Sequence, residues 1–193
     1  MEWVQAAVFR RDCLRIRRRP CEPPQNPAGE FVAEESMSPG RRAELIAVIE
    51  NAPAKLRQAV VGLSNEQLDT RYRNWTIRQI VHHLPDSHVN SYVRFKWALT
   101  EDQPTIKAYF EDRWVALEDS RTGDIQPSLA LLEGLHVRWV LLLRSMSEPQ
   151  FTRSFLHPET GKSISLNAAL SYYAWHCRHH TAQIIWVRQQ HGW

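Results

Sequence analysis

SLNAALSYYAWHCRHHTAQIIWVRQQ, residues 165–190, is the stretch that decides the fold. Stepped at about 100° per residue, Leu166, Ala169, Leu170, Tyr173, Ile184 and Val187 share one face about 100° wide. Ser165 or Asn167 offers an N-cap, so a long amphipathic helix is expected from about Leu166 to Gln190. His176 and His180 lie near the edge of the apolar face, on the same side. Arg178 points the other way, and His179 falls outside the face. Two imidazoles four residues apart stand one turn, about 6 Å, apart along the axis. That spacing can chelate one divalent ion. Cys177 points between the histidines and reads as a small packed residue.

Three more long amphipathic segments precede this one. The first opens at Ser38-Pro39, an N-cap followed by the residue that best suits the first helical position. Leu45, Ile46, Ile49, Leu56, Val60 and Leu63 make its stripe, and Pro53 is expected to kink it or split it near Asn51. Ser64 and Gln67 then form a capping box for a short turn. The second, WTIRQIVHHLPDSHVNSYVRFKWAL (residues 75–99), has a capping box in Thr76 and Gln79. Its apolar face runs Ile77, Ile80, Val81, Leu84, His88, Tyr92, Phe95 and Leu99. Pro85 inside it predicts a kink and a missing hydrogen bond. Residues 100–124 are polar, with one short helix expected near EDRWVALED. The third long segment, residues 126–146, places Leu129, Leu132, His136, Trp139, Leu143 and Met146 on one face. FTRSFLHPETGKSISL (residues 151–166) alternates around a Pro-Glu-Thr-Gly turn and reads as a small β-hairpin. Four long helices with one irregular crossover indicate an all-α four-helix bundle carrying a small β-hairpin before the last helix.

A metal site needs at least one ligand beyond the HxxxH pair. The candidates are His82, His83, His88, His136 and His157, and periodicity does not choose among them. His83, Ser87, Asn90 and Arg94 form a continuous polar stripe along the second helix, readable as a solvated face or as the wall of a polar pocket. His136, on an inward face, reads as a satisfied core histidine or as a partner behind a ligand.

Three stretches together resemble the DinB superfamily, and within it the YfiT-like branch. They are NWTIRQIVHHLPDSHVNSYVRFKWALTEDQPTIKAY, LHVRWVLLLRSM and FLHPETGKSISLNAALSYYAWHCRHHTAQI. The resemblance covers roughly residues 30–190. It implies a DinB-like four-helix bundle, a homodimer, and one divalent ion, zinc or nickel, on three histidines. The ligand histidine that follows the motif tryptophan by eight positions corresponds to His83 after Trp75. The other two correspond to His176 and His180. The chain departs from the family pattern in four places. RNW stands where GGW is usual, PDSH where ADSH is usual, Cys177 where a glycine is common, and the arginine-rich N-terminus has no counterpart.

The resemblance implies a metal-dependent hydrolase that uses activated water. It also admits a metal-dependent S-transferase with a low-molecular-weight thiol of the bacillithiol, mycothiol or glutathione kind. A metal-bound stress-response module without turnover is a further alternative. No catalytic residue beyond the ligands is assigned. No Glu or Asp stands beside the HxxxH as in an H-E-x-x-H protease. Ser87, Asn90, Arg94 and His136 are the residues expected around the pocket, with Asn90 and Arg94 suited to an anionic cofactor or substrate.

The 193 residues suffice for one domain with a sizeable core. The net charge of +3 is misleading: within residues 1–20 six arginines face Glu2 and Asp12, a net of +4, which leaves −1 for the rest. The basic balance comes from this tail, so it is poor evidence for nucleic-acid binding by the folded body. Residues 1–37, basic and then Pro-rich, read as a disordered extension, and residues 38–193 as the folded domain. Three cysteines without a C-x-x-C pair argue against a disulfide framework. No apolar run approaches the roughly 18–20 residues of a membrane span, and no secretory signal is recognisable, so a cytoplasmic location is expected.

Overall fold

The computed structural model describes residues 22–193. In chain order the elements are α1 (Pro39–Val60), α2 (Asn65–Leu68), β1 (Arg71–Tyr72), β2 (Trp75–Thr76), α3 (Ile77–Thr100), α4 (Glu111–Trp114), α5 (Glu118–Thr122), α6 (Ile125–Ser145), α7 (Glu148–Phe151), β3 (Ser154–His157), β4 (Lys162–Ser165) and α8 (Leu166–His191). The four long helices α1, α3, α6 and α8 form the expected bundle. Each packs on two others, in the ring α1–α8–α3–α6. Chain-consecutive α1 and α3 therefore stand on a diagonal, as do α6 and α8.

The helix ends follow from local chemistry. Ser38, Thr76, Asp124 and Ser165 each accept a backbone N–H at the start of a long helix, and Thr76 closes a full capping box with Gln79. Gly192, at φ +73°, ends α8 in the left-handed conformation that glycine adopts without a Cβ penalty. The expected hairpin forms: β3 and β4 pair antiparallel, with Phe155 opposite Ile164. Residues 100–124 carry two short helices, α4 and α5, where one was expected, and Thr105 bridges to Leu156 beside β3.

Neither internal proline breaks its helix. α1 is not split near Asn51. Pro53 lacks the N–H that would bind the carbonyl of Ile49, and that carbonyl instead accepts a 2.6 Å hydrogen bond from His136 Nδ1 of α6. A side chain from a neighbouring helix thus replaces the lost bond. α3 likewise runs unbroken through Pro85, which is buried in the bundle.

The core has two apolar clusters. One holds Leu45, Ile49, Phe95, Trp139, Leu143 and Tyr173; the other holds Leu56, Ile80, Leu84, Leu132, Ile184 and Val187. Between them, on α3, α6 and α8, lies a layer of buried histidines: His83, His88, His136, His176 and His180.

The segment 22–37 departs from expectation. It has no helix or strand, as its prolines dictate, but it lies along α8 and is not a loose extension. Trp175 Nε1 donates to the carbonyl of Gly29 at 2.8 Å, Asn167 Nδ2 to the carbonyl of Glu35 at 3.2 Å, and the Glu34 amide to Ser171 Oγ at 3.2 Å. Phe31 packs edge-on against Tyr172. Composition excludes regular structure there, yet it is blind to hydrogen bonds made 130 residues away along the chain. The arginine run lies outside the described residues. Among the described residues no helix is long and apolar enough to cross a membrane.

Candidate metal centre

His83 of α3 and His176 and His180 of α8 meet where these two helices pack. His83 Nε2 lies 3.2 Å from His176 Nε2, and His180 Nε2 lies 3.2 Å from the same atom. Two nitrogens bound to one ion at 2.0–2.1 Å with a tetrahedral angle are about 3.3 Å apart. The three rings therefore stand at chelating distance. All three are buried. Pro85 does not re-aim His83.

Burial makes these imidazoles poor bases. It pushes His83 down to about 3 and holds His176 and His180 well below the ordinary histidine value. All three are neutral at neutral pH, so each has one bare ring nitrogen. Hydrogen bonds say which. His180 Nδ1 donates to Gln183 Oε1 at 2.8 Å, leaving Nε2 bare. His176 Nδ1 meets His88 Nε2 at 3.1 Å, again on the side away from the cluster. His180 thus turns a bare Nε2 toward His176 across 3.2 Å, a position where a lone pair is free for a cation. His83 Nδ1 is buried without a partner.

The β1–β2 ribbon, not foreseen from sequence, delivers Trp75 to this site. Its two-residue turn holds Arg73 at φ +53°, where a glycine would sit unstrained. Trp75 stacks over His180 at 6.0 Å and 10°, packs against His83 at 4.6 Å, and donates its indole N–H to Asp112 at 2.9 Å.

The three histidines form one wall of a cavity of about 640 Å³ that reaches from α3 and α8 to the β3–β4 hairpin. Tyr109, Tyr172, Trp175 and Phe31 give it an aromatic lining, and Arg94, His157 and Lys162 supply positive or donor groups. Burial raises the Tyr172 hydroxyl to about 12 and pushes Tyr109 well up, so both stay protonated donors. Ser87 and Arg94 line the cavity. Asn90 does not. Its short amide folds back onto the Asp86 carbonyl of its own helix at 2.8 Å. His136 lies behind the site, two hydrogen bonds from His176. His82 turns toward α6 and bonds Ser128 Oγ at 2.7 Å. His179 is buried, which its position outside the apolar face did not suggest. It stacks on Trp175 at 4.5 Å and meets Gln183 Nε2 at 2.8 Å. The sequence reading also missed Gln183, whose signal was available: it stands three residues beyond His180, on the neighbouring position of the helix.

Buried arginines differ in a telling way. Arg42 pairs with Glu148 at 3.0 Å and Arg78 with Asp69 at 2.8 Å. Arg94 is as buried, yet its one hydrogen bond is Nη2 to the Lys107 carbonyl at 3.2 Å, and Nε has no partner. Among the described residues no carboxylate pairs with it.

Comparison with known proteins places this geometry in context. Residues 49–184 match the family model described as the DinB superfamily. The chain is 50% identical over 169 residues to a Bacillus subtilis protein named "Putative metal-dependent hydrolase YfiT", covering 86% of this chain and 95% of that one. A Geobacillus thermodenitrificans protein named "Putative metal-dependent hydrolase" is 45% identical over 174 residues, 89% of this chain and 98% of its own length. The solved structure of B. subtilis YfiT, described as having an unusual four-helix bundle topology, superposes with a TM-score of 0.85 at 49% identity. It covers 87% of this chain and 97% of that one.

Proposed function

The chain belongs to the DinB superfamily, and on that premise we propose that it holds one zinc or nickel ion on His83, His176 and His180 and hydrolyses a small substrate in the adjoining cavity. The observation that carries this reading is the meeting of three buried imidazoles, with His83 Nε2 and His180 Nε2 each 3.2 Å from His176 Nε2. An all-nitrogen set suits zinc and nickel and not the hard cations that prefer oxygen. When bound, the ion supplies a Lewis acid with open positions, able to polarise a carbonyl and to bring the pKa of water near neutrality.

The protein's own groups do the rest. Trp75 covers one side of His180 and limits access of bulk water from that direction. Arg94, buried and without a carboxylate, is the natural anchor for an anionic group on the substrate. Tyr109 and Tyr172, held protonated, can donate hydrogen bonds in the space between Arg94 and the histidines.

A second reading draws support from the size of the cavity. About 640 Å³ has room for two small molecules side by side. A low-molecular-weight thiol bound as thiolate beside the histidines and an electrophile next to it would make the protein an S-transferase.

One preparation separates these readings. Metal content is measured first, then turnover of ester and amide probes without thiol, and of a chlorobimane-type electrophile with and without added thiol. Hydrolysis without thiol, abolished by His176→Ala, supports the hydrolase. Conjugation only with thiol supports the transferase. Metal bound without either activity sinks both and favours the non-catalytic module.

A further inference from the structure

Behind the site runs a line of hydrogen bonds that crosses all four long helices. It starts at Pro53 of α1. Because proline has no N–H, the carbonyl of Ile49 lacks its helical partner and accepts instead from His136 Nδ1 of α6 at 2.6 Å. A carbonyl only accepts, so His136 Nδ1 carries the proton. Neutral His136 must then present a bare Nε2, and His88 Nδ1 of α3 donates to it at 2.7 Å. His88 Nε2 is therefore bare, and His176 Nδ1 of α8 donates to it at 3.1 Å. His176 is left with its lone pair on Nε2, the atom that His83 and His180 both approach.

We infer that His88 and His136 are positioning residues that fix the tautomer and ring orientation of His176 from the carbonyl that Pro53 leaves free. Each step follows from the one before it, because the three rings are buried and bond one another and the Ile49 carbonyl, with no carboxylate among the described residues beside them to hold a second proton. Groups behind a metal-bound histidine typically set its basicity and direction, and their loss costs about 10–100-fold in metal affinity. Here the supporting group is a chain of two further histidines ending on a main-chain carbonyl, where a single carboxylate would do. Such a chain adds no charge to a layer sandwiched between two apolar clusters.

The same atoms admit a rival description, since His88, His136 and Cys177 also cluster closely enough to suggest ligands. The spacing argues against it. His88 Nδ1 and His136 Nε2 are 2.7 Å apart, the distance of a hydrogen bond, and two ligands of one ion would be about 3.3 Å apart.

The inference rests on the three-histidine reading of the site, but its first test does not. In metal-free wild-type protein labelled with ¹⁵N-histidine, long-range proton–nitrogen correlations report which ring nitrogen is protonated. The expected pattern is Nδ1–H and bare Nε2 for His136, His88 and His176; a His176 protonated on Nε2 overturns the proposal. The second test is zinc affinity, measured at one pH by competition with a chromophoric chelator. His88→Phe, which keeps a ring but accepts nothing, is expected to weaken binding about 10–100-fold. His88→Gln, whose amide oxygen can accept from His176, is expected to recover it to within a few-fold. Wild-type affinity in His88→Phe overturns the proposal, as does a second zinc equivalent in wild type that His136→Asn removes. Failure of the wild type to bind any zinc sinks the metal reading, while the tautomer pattern still decides the relay.

Discussion

Two buried groups of would-be ligands share one layer of the bundle. His83, His176 and His180 form one; His88, His136 and Cys177 form the other, and in each the ligand atoms lie within 4.8 Å of one another. Burial and residue type hardly distinguish them. The protons do. In the first group the N–H bonds of His176 and His180 point outward, to His88 and Gln183, so bare nitrogens face inward. In the second, donor meets acceptor head to tail, and no lone pair is left over for an ion. Its thiol is no better prepared. Burial pushes Cys177 up to about 12, whereas a metal ligand must be a thiolate. Ligand chemistry is therefore a matter of direction as well as proximity.

The contrast can be broken most severely at the first group. His176→Ala or His180→Ala leaves two ligands and should abolish stable metal binding, a loss beyond the 10–100-fold typical of supporting residues. Metal content after dialysis reads this directly. Gln183→Leu should have an intermediate effect. It deprives His180 Nδ1 of its acceptor and should weaken zinc binding by about tenfold or more, whereas Gln183→Glu, which still accepts, should bind at least as well as wild type.

Acid should affect both groups alike. In the unfolded chain each histidine takes up its proton near pH 6.5. In the folded chain burial delays this to about 4 for His136 and about 3 for His83. Between those values the unfolded state binds more protons, so stability falls as the pH drops below about 6.5 and is flat above it. The slope is about 1.4 kcal/mol per pH unit for each such histidine. Urea unfolding of metal-free protein at about pH 7.5, 6 and 5 checks it, and a midpoint that does not move between 7.5 and 5 contradicts the burial argument. The smallest effect belongs to Cys177→Ala. It should cost about 1 kcal/mol of stability and leave metal content unchanged. Lost metal would move Cys177 from the packing to the site.

Much of the frame was legible in local sequence. Ser38-Pro39, the Thr76–Gln79 box and the periodic stripes of α1, α3, α6 and α8 are interactions within a few residues, and they placed four helices and a hairpin. The HxxxH pair was legible for the same reason. His83 was not chosen by periodicity, because His82, His83 and His88 all face some part of the bundle; family resemblance pointed to it. The role of His88 was out of reach altogether. It depends on which carbonyl a proline frees, on a histidine 87 residues from that carbonyl, and on how four helices are ordered in a ring. The segment 22–37 escaped for a related reason. Its prolines excluded a helix, but its anchors, such as Trp175 to the Gly29 carbonyl, lie on α8.

One group of histidines is proposed to hold the ion and its neighbour to support it from behind. Elemental analysis of protein purified from metal-replete cells, wild type beside His176→Ala/His180→Ala, tests it most directly. One zinc or nickel per chain is expected in the wild type and none in the double variant. A full equivalent retained by the double variant would contradict it.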